Sequence, residues 1–260
     1  MKTTKAQQEI TRSRIVASAV ALMTREGFDA VTMKDIARAA KIGDATVYKY
    51  FPTKERLLLG YFDGVARDAI EARRASPGID EYDLQSRLQR LTDAVLERLR
   101  PDRAFVEIAR ALVAKSPLLM LGEQIEAKQL LKDAVFADLE QAVASQEIPP
   151  SDFLHLLSGL YVDYCFGVVA WWLNDASDDL AHTTRFVDQT LGVLVPMLVC
   201  GLPDRIVQLA LFALRSQFAR LIPRKRALAP EQPSAPQGDT GRRRTPAPKH
   251  RPSGGSRKTP

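Results

Sequence analysis

Apolar residues in this chain recur at intervals of three and four, and at no point do they alternate with polar ones over the length of a strand. Ile15, Ala19 and Leu22/Met23 set the pattern near the N-terminus, and it continues to about residue 221. That is the period of a helix buried on one face. The sequence therefore predicts an all-α fold. With 260 residues, 45% hydrophobic and 26% charged, it has the material for a sizeable core.

Turn and cap residues divide the pattern. A first helix is expected over about Thr11–Glu26, stopped by Gly27. Thr32, with Asp35 three residues on, opens a two-turn helix over 33–40. Lys41-Ile42-Gly43 breaks it before a short helix at 44–50, and Thr53 caps a longer one to about Arg74. Ser76-Pro77-Gly78 reads as a turn and a candidate domain edge. Further helices are expected at 82–99, 102–115, 118–146, 152–174, 179–200 and 203–221, with Pro196 kinking its helix.

Charge is distributed unevenly. Residues 1–60 carry 11 Lys/Arg against 6 Asp/Glu, residues 61–223 carry 16 against 23, and residues 224–260 carry 10 against 2. A basic head, an acidic body and a basic tail point to polyanion contact at the ends. The tail holds 7 of the 16 prolines and no aromatic residue, so it cannot bury enough apolar surface to offset ordering, and disorder is expected. Two cysteines, Cys165 and Cys200, make no disulfide framework, which points to a reducing compartment. The apolar run Ile15–Met23 has its small residues inside it rather than after it, so a leader peptide is not expected. Leu154–Leu173 has the length of a membrane span but contains His155 and Asp163, and no membrane role is assigned to it.

Residues 32–51, TMKDIARAAKIGDATVYKYF, form two short helices around a glycine-containing turn, a helix-turn-helix pattern. Ile36, Ala37 and Ala40 are expected to pack against Val47 and the body of Tyr48. The second helix then presents Asp44, Ala45, Thr46, Tyr48, Lys49 and Tyr50 outward or at its edges, where hydroxyls and ammonium groups suit phosphates and base edges.

Residues 11–60 resemble the N-terminal domain of the TetR (tetracycline-repressor) family of bacterial transcription regulators. The resemblance is carried by Gly27-Phe28, Val31-Thr32-Met33, Asp35-Ile36-Ala37, Ala40, Thr46-Val47-Tyr48, Tyr50-Phe51, Lys54-Glu55 and Leu57-Leu58. It implies a helix-turn-helix domain over 1–60 and a helical effector-binding and dimerisation domain over 61–223, beyond which composition marks off the basic tail over 224–260. It also implies that Thr32, Thr46, Tyr48 and Lys54 mainly hold phosphates, while Asp44, Ala45, Lys49 and Tyr50 lie nearest the bases or their flanking phosphates. The chain departs from the family pattern in having Gly43 where a serine cap is common and Ala45 where glycine is common. Asp44, between them, reads either as a replacement cap or as an acceptor from cytosine N4.

For the body, the resemblance implies a two-fold dimer contact through 152–174 and 179–200. The stripe His155, Gly159, Asp163, Gly167 on a helix apolar nearly all round suits a close approach. The resemblance also implies an effector pocket, with candidate lining residues Phe105, Met120, Tyr161, Asp163, Tyr164 and Trp171. His155 or Arg110 is a candidate partner for Asp163. Ile206, Leu209/Ala210, Ala213/Leu214 and Phe218 share a face on the last helix, which is expected to pack on the body.

The expected function is that of a homodimeric, cytoplasmic, nucleoid-associated bacterial regulator. It binds a palindromic double-stranded DNA operator as a repressor and is released by a small-molecule effector. No cofactor, metal site or catalytic residue is expected. With three histidines and no Gly-rich phosphate loop, HExxH, CxxC or Glu-x-x-His pair, enzyme classes lack their signatures. The alternative is a non-specific nucleic-acid or membrane-surface protein acting through its tail.

Overall fold

The computed structural model describes residues 4–115 and 125–221. Met120, the start of the helix expected at 118–146 and the 224–260 tail lie outside the described residues. The helices are α1 (Lys5–Glu26), α2 (Met33–Ala40), α3 (Asp44–Tyr50), α4 (Lys54–Arg74), α5 (Leu84–Leu99), α6 (Arg103–Lys115), α7 (Glu126–Ala144), α8 (Leu154–Trp172), α9 (Ala181–Val199) and α10 (Leu202–Leu221). Among the described residues every regular element is helical, three short 3₁₀ turns included.

The caps explain the boundaries. α1 starts six residues before the expected Thr11 because the Thr4 side chain accepts a hydrogen bond from the Gln7 N–H at 3.3 Å. It ends where Gly27 takes φ 87° and returns its N–H to the Met23 carbonyl. Asp83 caps α5 by accepting from the Ser86 N–H at 2.8 Å. Pro196 falls in the last turn of α9, which ends at Val199.

α4 organises the molecule. It packs on α1 at its start and on α5 and α7 along its length. Leu57, Leu58 and Leu59 are buried in its first half, and Val65, Ala66, Ala69 and Ile70 in its second. The helix therefore runs straight through the 60/61 boundary expected between head and body, and residues as far as Arg215 form one compact unit. At its far end Arg73 pairs with Asp138 of α7, and Arg87 of α5 reaches Asp138 at 3.8 Å and Glu147 at 3.3 Å. Burial pushes the Asp138 carboxyl up, and the Arg73 guanidinium opposes that shift. Removing one partner of such a buried set typically costs about 3–5 kcal/mol.

α8 is not buried on all sides, as its apolar circumference suggested. Its inner face is closed by Tyr161, whose hydroxyl donates to the Leu88 carbonyl at 2.7 Å and lies 2.6 Å from the Thr92 hydroxyl. Its outer face leaves Leu156, Leu160 and Trp171 exposed, and the adjoining face of α9 leaves Val193, Leu194 and Val199 exposed. Gly159 and Gly167 meet nothing that a Cβ would touch, so no helix of the described chain approaches them. α10 likewise exposes Ile206 and Leu209 of the face expected to pack on the body, and the side chains of Leu214 and Phe218 lie outside the described residues.

Candidate DNA interface and body cavity

The head is built around Val47. This residue, Ile36 and Ala37 are fully buried with Ile15, Ala19 and Met23 of α1. The Thr32 hydroxyl accepts from the Asp35 N–H at 3.2 Å, and the Asp35 carboxylate accepts from the Thr32 N–H at 3.1 Å, a reciprocal cap at the start of α2. The Thr32 hydroxyl and amide hold the Asp35 carboxyl below its ordinary value. The turn between α2 and α3 is made by Lys41 in the left-handed region (φ 54°, ψ 45°), a conformation more often given to glycine or asparagine. The Ile42 N–H returns to the Ala37 carbonyl at 3.0 Å.

α3 begins with Gly43 as an N-cap that has no side chain to contribute, and Asp44 lies in the first turn with its carboxylate exposed. Asp44 therefore does not take over the capping bond. Its charge lies at the helix end where negative charge is favoured. Asp44, Ala45, Thr46, Tyr48 and Lys49 share the exposed surface of this helix, with Tyr48 45% exposed. Thr32 is exposed at the neighbouring helix start.

Two of the expected DNA-facing residues are placed otherwise. Tyr50 is half-buried against the core, and Phe51 is buried. Val47, Tyr50 and Phe51 are three and four apart and share the inner face, so Tyr50 and not Tyr48 supplies the inward aromatic. Lys54 is half-buried; its Nζ donates to the Phe28 carbonyl at 2.7 Å and lies 4.5 Å from the Phe28 ring centre. It clasps the loop after α1 onto the first turn of α4.

The end of α3 is fixed to α4 by a close approach. A Cβ on Gly60 would lie 2.5 Å from Cε1 of Phe51, so only glycine admits the ring at this depth. On the Phe51 ring rests the guanidinium of Arg12, 5.1 Å from its centre. Arg12 also pairs with Asp63 of α4 at 3.2 Å. Asp63 in turn accepts the backbone N–H of Ala127, at the start of α7, at 2.9 Å. One turn further on, Arg67 lies 2.6 Å from Glu126 of α7 and 3.7 Å from Glu9 of α1. None of these connections was anticipated. The sequence signal, charges at Glu9/Arg12 and Asp63/Arg67 with helical spacing, resembles any solvated face.

Behind that junction lies a cavity of about 170 Å³ among α4, α5, α6, α7 and α8. Its walls include Phe62 and Ala66 of α4, Val106 and Ala109 of α6, Leu131 of α7 and Val169 of α8. Among the described residues Arg110 is its one charged lining residue. Cys165 also lines it; burial pushes the thiol up to about 12, so it stays neutral and is no ready nucleophile.

The five described residues expected to line a pocket are not in these walls. Phe105 is fully buried edge-on to Tyr61, and Tyr161 is held by Leu88 and Thr92. The Tyr164 hydroxyl lies 2.6 Å from that of Thr190, and Trp171 stacks on Phe186. Asp163 is exposed and pairs with Lys128 at 2.7 Å, not with His155 or Arg110; His155 stacks on Phe136 instead. The lining of this cavity is mostly aliphatic, with the Phe62 and Phe166 rings, and in sequence it is indistinguishable from ordinary core.

Comparison with known proteins agrees with this architecture. Residues 15–61 match the family described as bacterial regulatory proteins, tetR family, and residues 87–212 match the tetracyclin repressor-like C-terminal domain. The HTH-type transcriptional repressor KstR of Rhodococcus jostii is 27% identical over 189 residues, covering 71% of this chain and 84% of that protein. The uncharacterized HTH-type regulator YdeS of Bacillus subtilis is 36% identical over 64 residues, 25% of this chain and 32% of YdeS. The structure of Salmonella enterica GusR superposes with a TM-score of 0.54 at 22% identity, over 76% of this chain and 99% of GusR, a likeness of fold.

Proposed function

Because the chain belongs to the TetR family of DNA-binding transcriptional regulators, which are typically repressors, we propose that it is a homodimeric repressor released from a palindromic operator by a small-molecule effector. The observation that carries this reading is the unbroken set of contacts from α3 to the cavity wall: Phe51, Arg12, Asp63 and the Ala127 amide. A molecule that reshapes the cavity acts on the start of α7, and through Asp63 and Arg67 on α1. Release requires that the effector bind the two head positions unequally.

In this reading α3 enters the major groove. Thr46, Tyr48 and Thr32 contact phosphates, and Asp44, Ala45 and Lys49 lie nearest the bases. Tyr50 acts from the edge of the helix and Lys54 through the loop it clasps. The second copy covers the outer faces of α8 and α9. α8 is long and apolar enough to cross a membrane, with 28% of it buried by its own chain. The Asp163–Lys128 ion pair lies within that face, however, and a two-fold partner suits such a surface better than lipid does. The protein then works on chromosomal DNA in the bacterial cytoplasm, with no catalytic step.

The test is a titration of the full chain against DNA from upstream of its own gene and against scrambled DNA of equal length. Strong preference for the upstream DNA, lost in Tyr48→Ala/Lys49→Ala, supports the reading. Equal affinity for both DNAs, unaffected by those changes, overturns it.

A further inference from the structure

We propose that the cavity takes an amphipathic organic anion: an apolar body of roughly six to eight carbons among the aliphatic walls, with one carboxylate held at Arg110. This deepens the effector reading and rests on it. Size sets the first limit. An internal cavity of about 150 Å³ accepts benzene, and the space here is about 170 Å³. The walls set the second. Among the described residues, Val106, Ala109, Leu131 and Val169 present hydrocarbon to the space. Among the described lining residues the one buried polar side chain is Cys165, whose thiol is neutral and lies 3.8 Å from the Thr92 hydroxyl. A hydroxyl or amide in the middle of the ligand would lose its water and find no partner.

Arg110 sets the third limit. It is exposed, contributes to the lining, and has no ion pair or hydrogen bond within the described residues. A guanidinium at the rim of an apolar hollow pairs with a planar carboxylate through two parallel N–H donors. It disfavours a cationic head. The polar end of the ligand is thereby fixed at α6 and its apolar end directed towards α4 and α8.

Calorimetry on the full chain with octanoate, 1-octanol and octylammonium tests the assignment. Octanoate should bind one per chain and more tightly than octanol, and octylammonium should bind more weakly than either. Arg110→Gln should weaken octanoate about tenfold and leave octanol unchanged. Ala170→Leu, at a half-buried wall position, should reduce both while the protein still binds DNA. Octanoate binding no better than octanol, or unaffected by Arg110→Gln, overturns the proposal, as does absence of binding by protein that retains DNA affinity. Octanoate bound without any change in affinity for the upstream DNA upholds the site and overturns the effector reading.

Discussion

Asp63 accepts the Ala127 backbone N–H at 2.9 Å with one carboxylate oxygen and meets the Arg12 guanidinium at 3.2 Å with the other. One side chain of α4 thus joins the first helix of the reading head to the helix that starts at the cavity wall. Burial pushes this carboxyl above its ordinary value, and the Ala127 amide and Arg12 work against that shift. Asp63→Asn keeps an acceptor for Ala127 and loses the charge that holds Arg12. Its affinity for DNA alone and for ligand alone should each change less than about threefold, while the ratio of DNA affinities without and with ligand should fall towards one. Operator titrations with and without saturating octanoate measure that ratio; an unchanged ratio places the coupling elsewhere.

Gly60 and Gly64 lie one turn apart on α4 and face different surroundings. A methyl group at Gly60 would collide with Phe51, and one at Gly64 meets nothing within 4 Å. Gly60→Ala should destabilise the protein by about 1–3 kcal/mol through overpacking. Gly64→Ala should be neutral or stabilise by up to about 1 kcal/mol through helix propensity. Chemical denaturation of the pair checks both signs, and equal midpoints would remove the role assigned to the Phe51 approach.

Leu160 and Val193 are 55% and 61% exposed on the outer faces of α8 and α9. Leu160→Arg and Val193→Arg should leave the chain folded, since neither side chain is buried by it. Each should convert the proposed dimer to monomer in light scattering and reduce operator affinity at least tenfold, because a palindrome is read by two heads. A dimer that survives both changes would place the two-fold contact on another surface.

Asp175 joins the end of α8 to the start of α9. Its carboxylate accepts from Ser177 (N–H 2.9 Å, hydroxyl 2.6 Å) and from Thr183 (N–H 2.8 Å, hydroxyl 2.6 Å). The Ser177 and Thr183 side chains, with their amides, hold it well below the ordinary value of 3.8. A depressed carboxyl stabilises the fold fully above the unfolded value and loses that contribution as pH falls through the folded one. The stability difference between the native protein and Asp175→Asn should be constant from pH 7 to about pH 5 and shrink below about pH 4. Thermal melts across that range check it. A difference that grows on acidification would contradict the assignment.

How far the sequence could be read depends on the range of the signal. α2, α3 and α4 were legible nearly to the residue, because Thr32, Gly43 and Thr53 are local punctuation and the pattern between them is dense. The exchange of Tyr48 for Tyr50 as the inward aromatic was a matter of helical phase over a helix of 7 residues. α8 looked buried because periodicity reports apolar faces without saying whether the same chain covers them. The cavity was hidden for a related reason. Its walls come from five helices, and each contributes small aliphatic residues that any core would use, whereas the conspicuous Phe105 and Tyr161 are spoken for by Tyr61, Leu88 and Thr92. Asp63 and Arg67 needed three-dimensional neighbours to distinguish them from solvated charges.

The inward use of Lys54 and Arg12 changes what the basic head means for binding. The first 60 residues hold 11 Lys/Arg, yet one ammonium is committed to the Phe28 carbonyl and one guanidinium to Asp63 and the Phe51 ring. With those bonds kept in the complex, neither displaces condensed cations from a DNA backbone. Each phosphate neutralised adds close to one unit to the slope of log affinity against log salt. The head should therefore release fewer counterions than its composition suggests. Lys54→Met should lower the melting temperature and leave that slope unaltered, whereas Lys49→Met should lower the slope and leave the melting temperature alone.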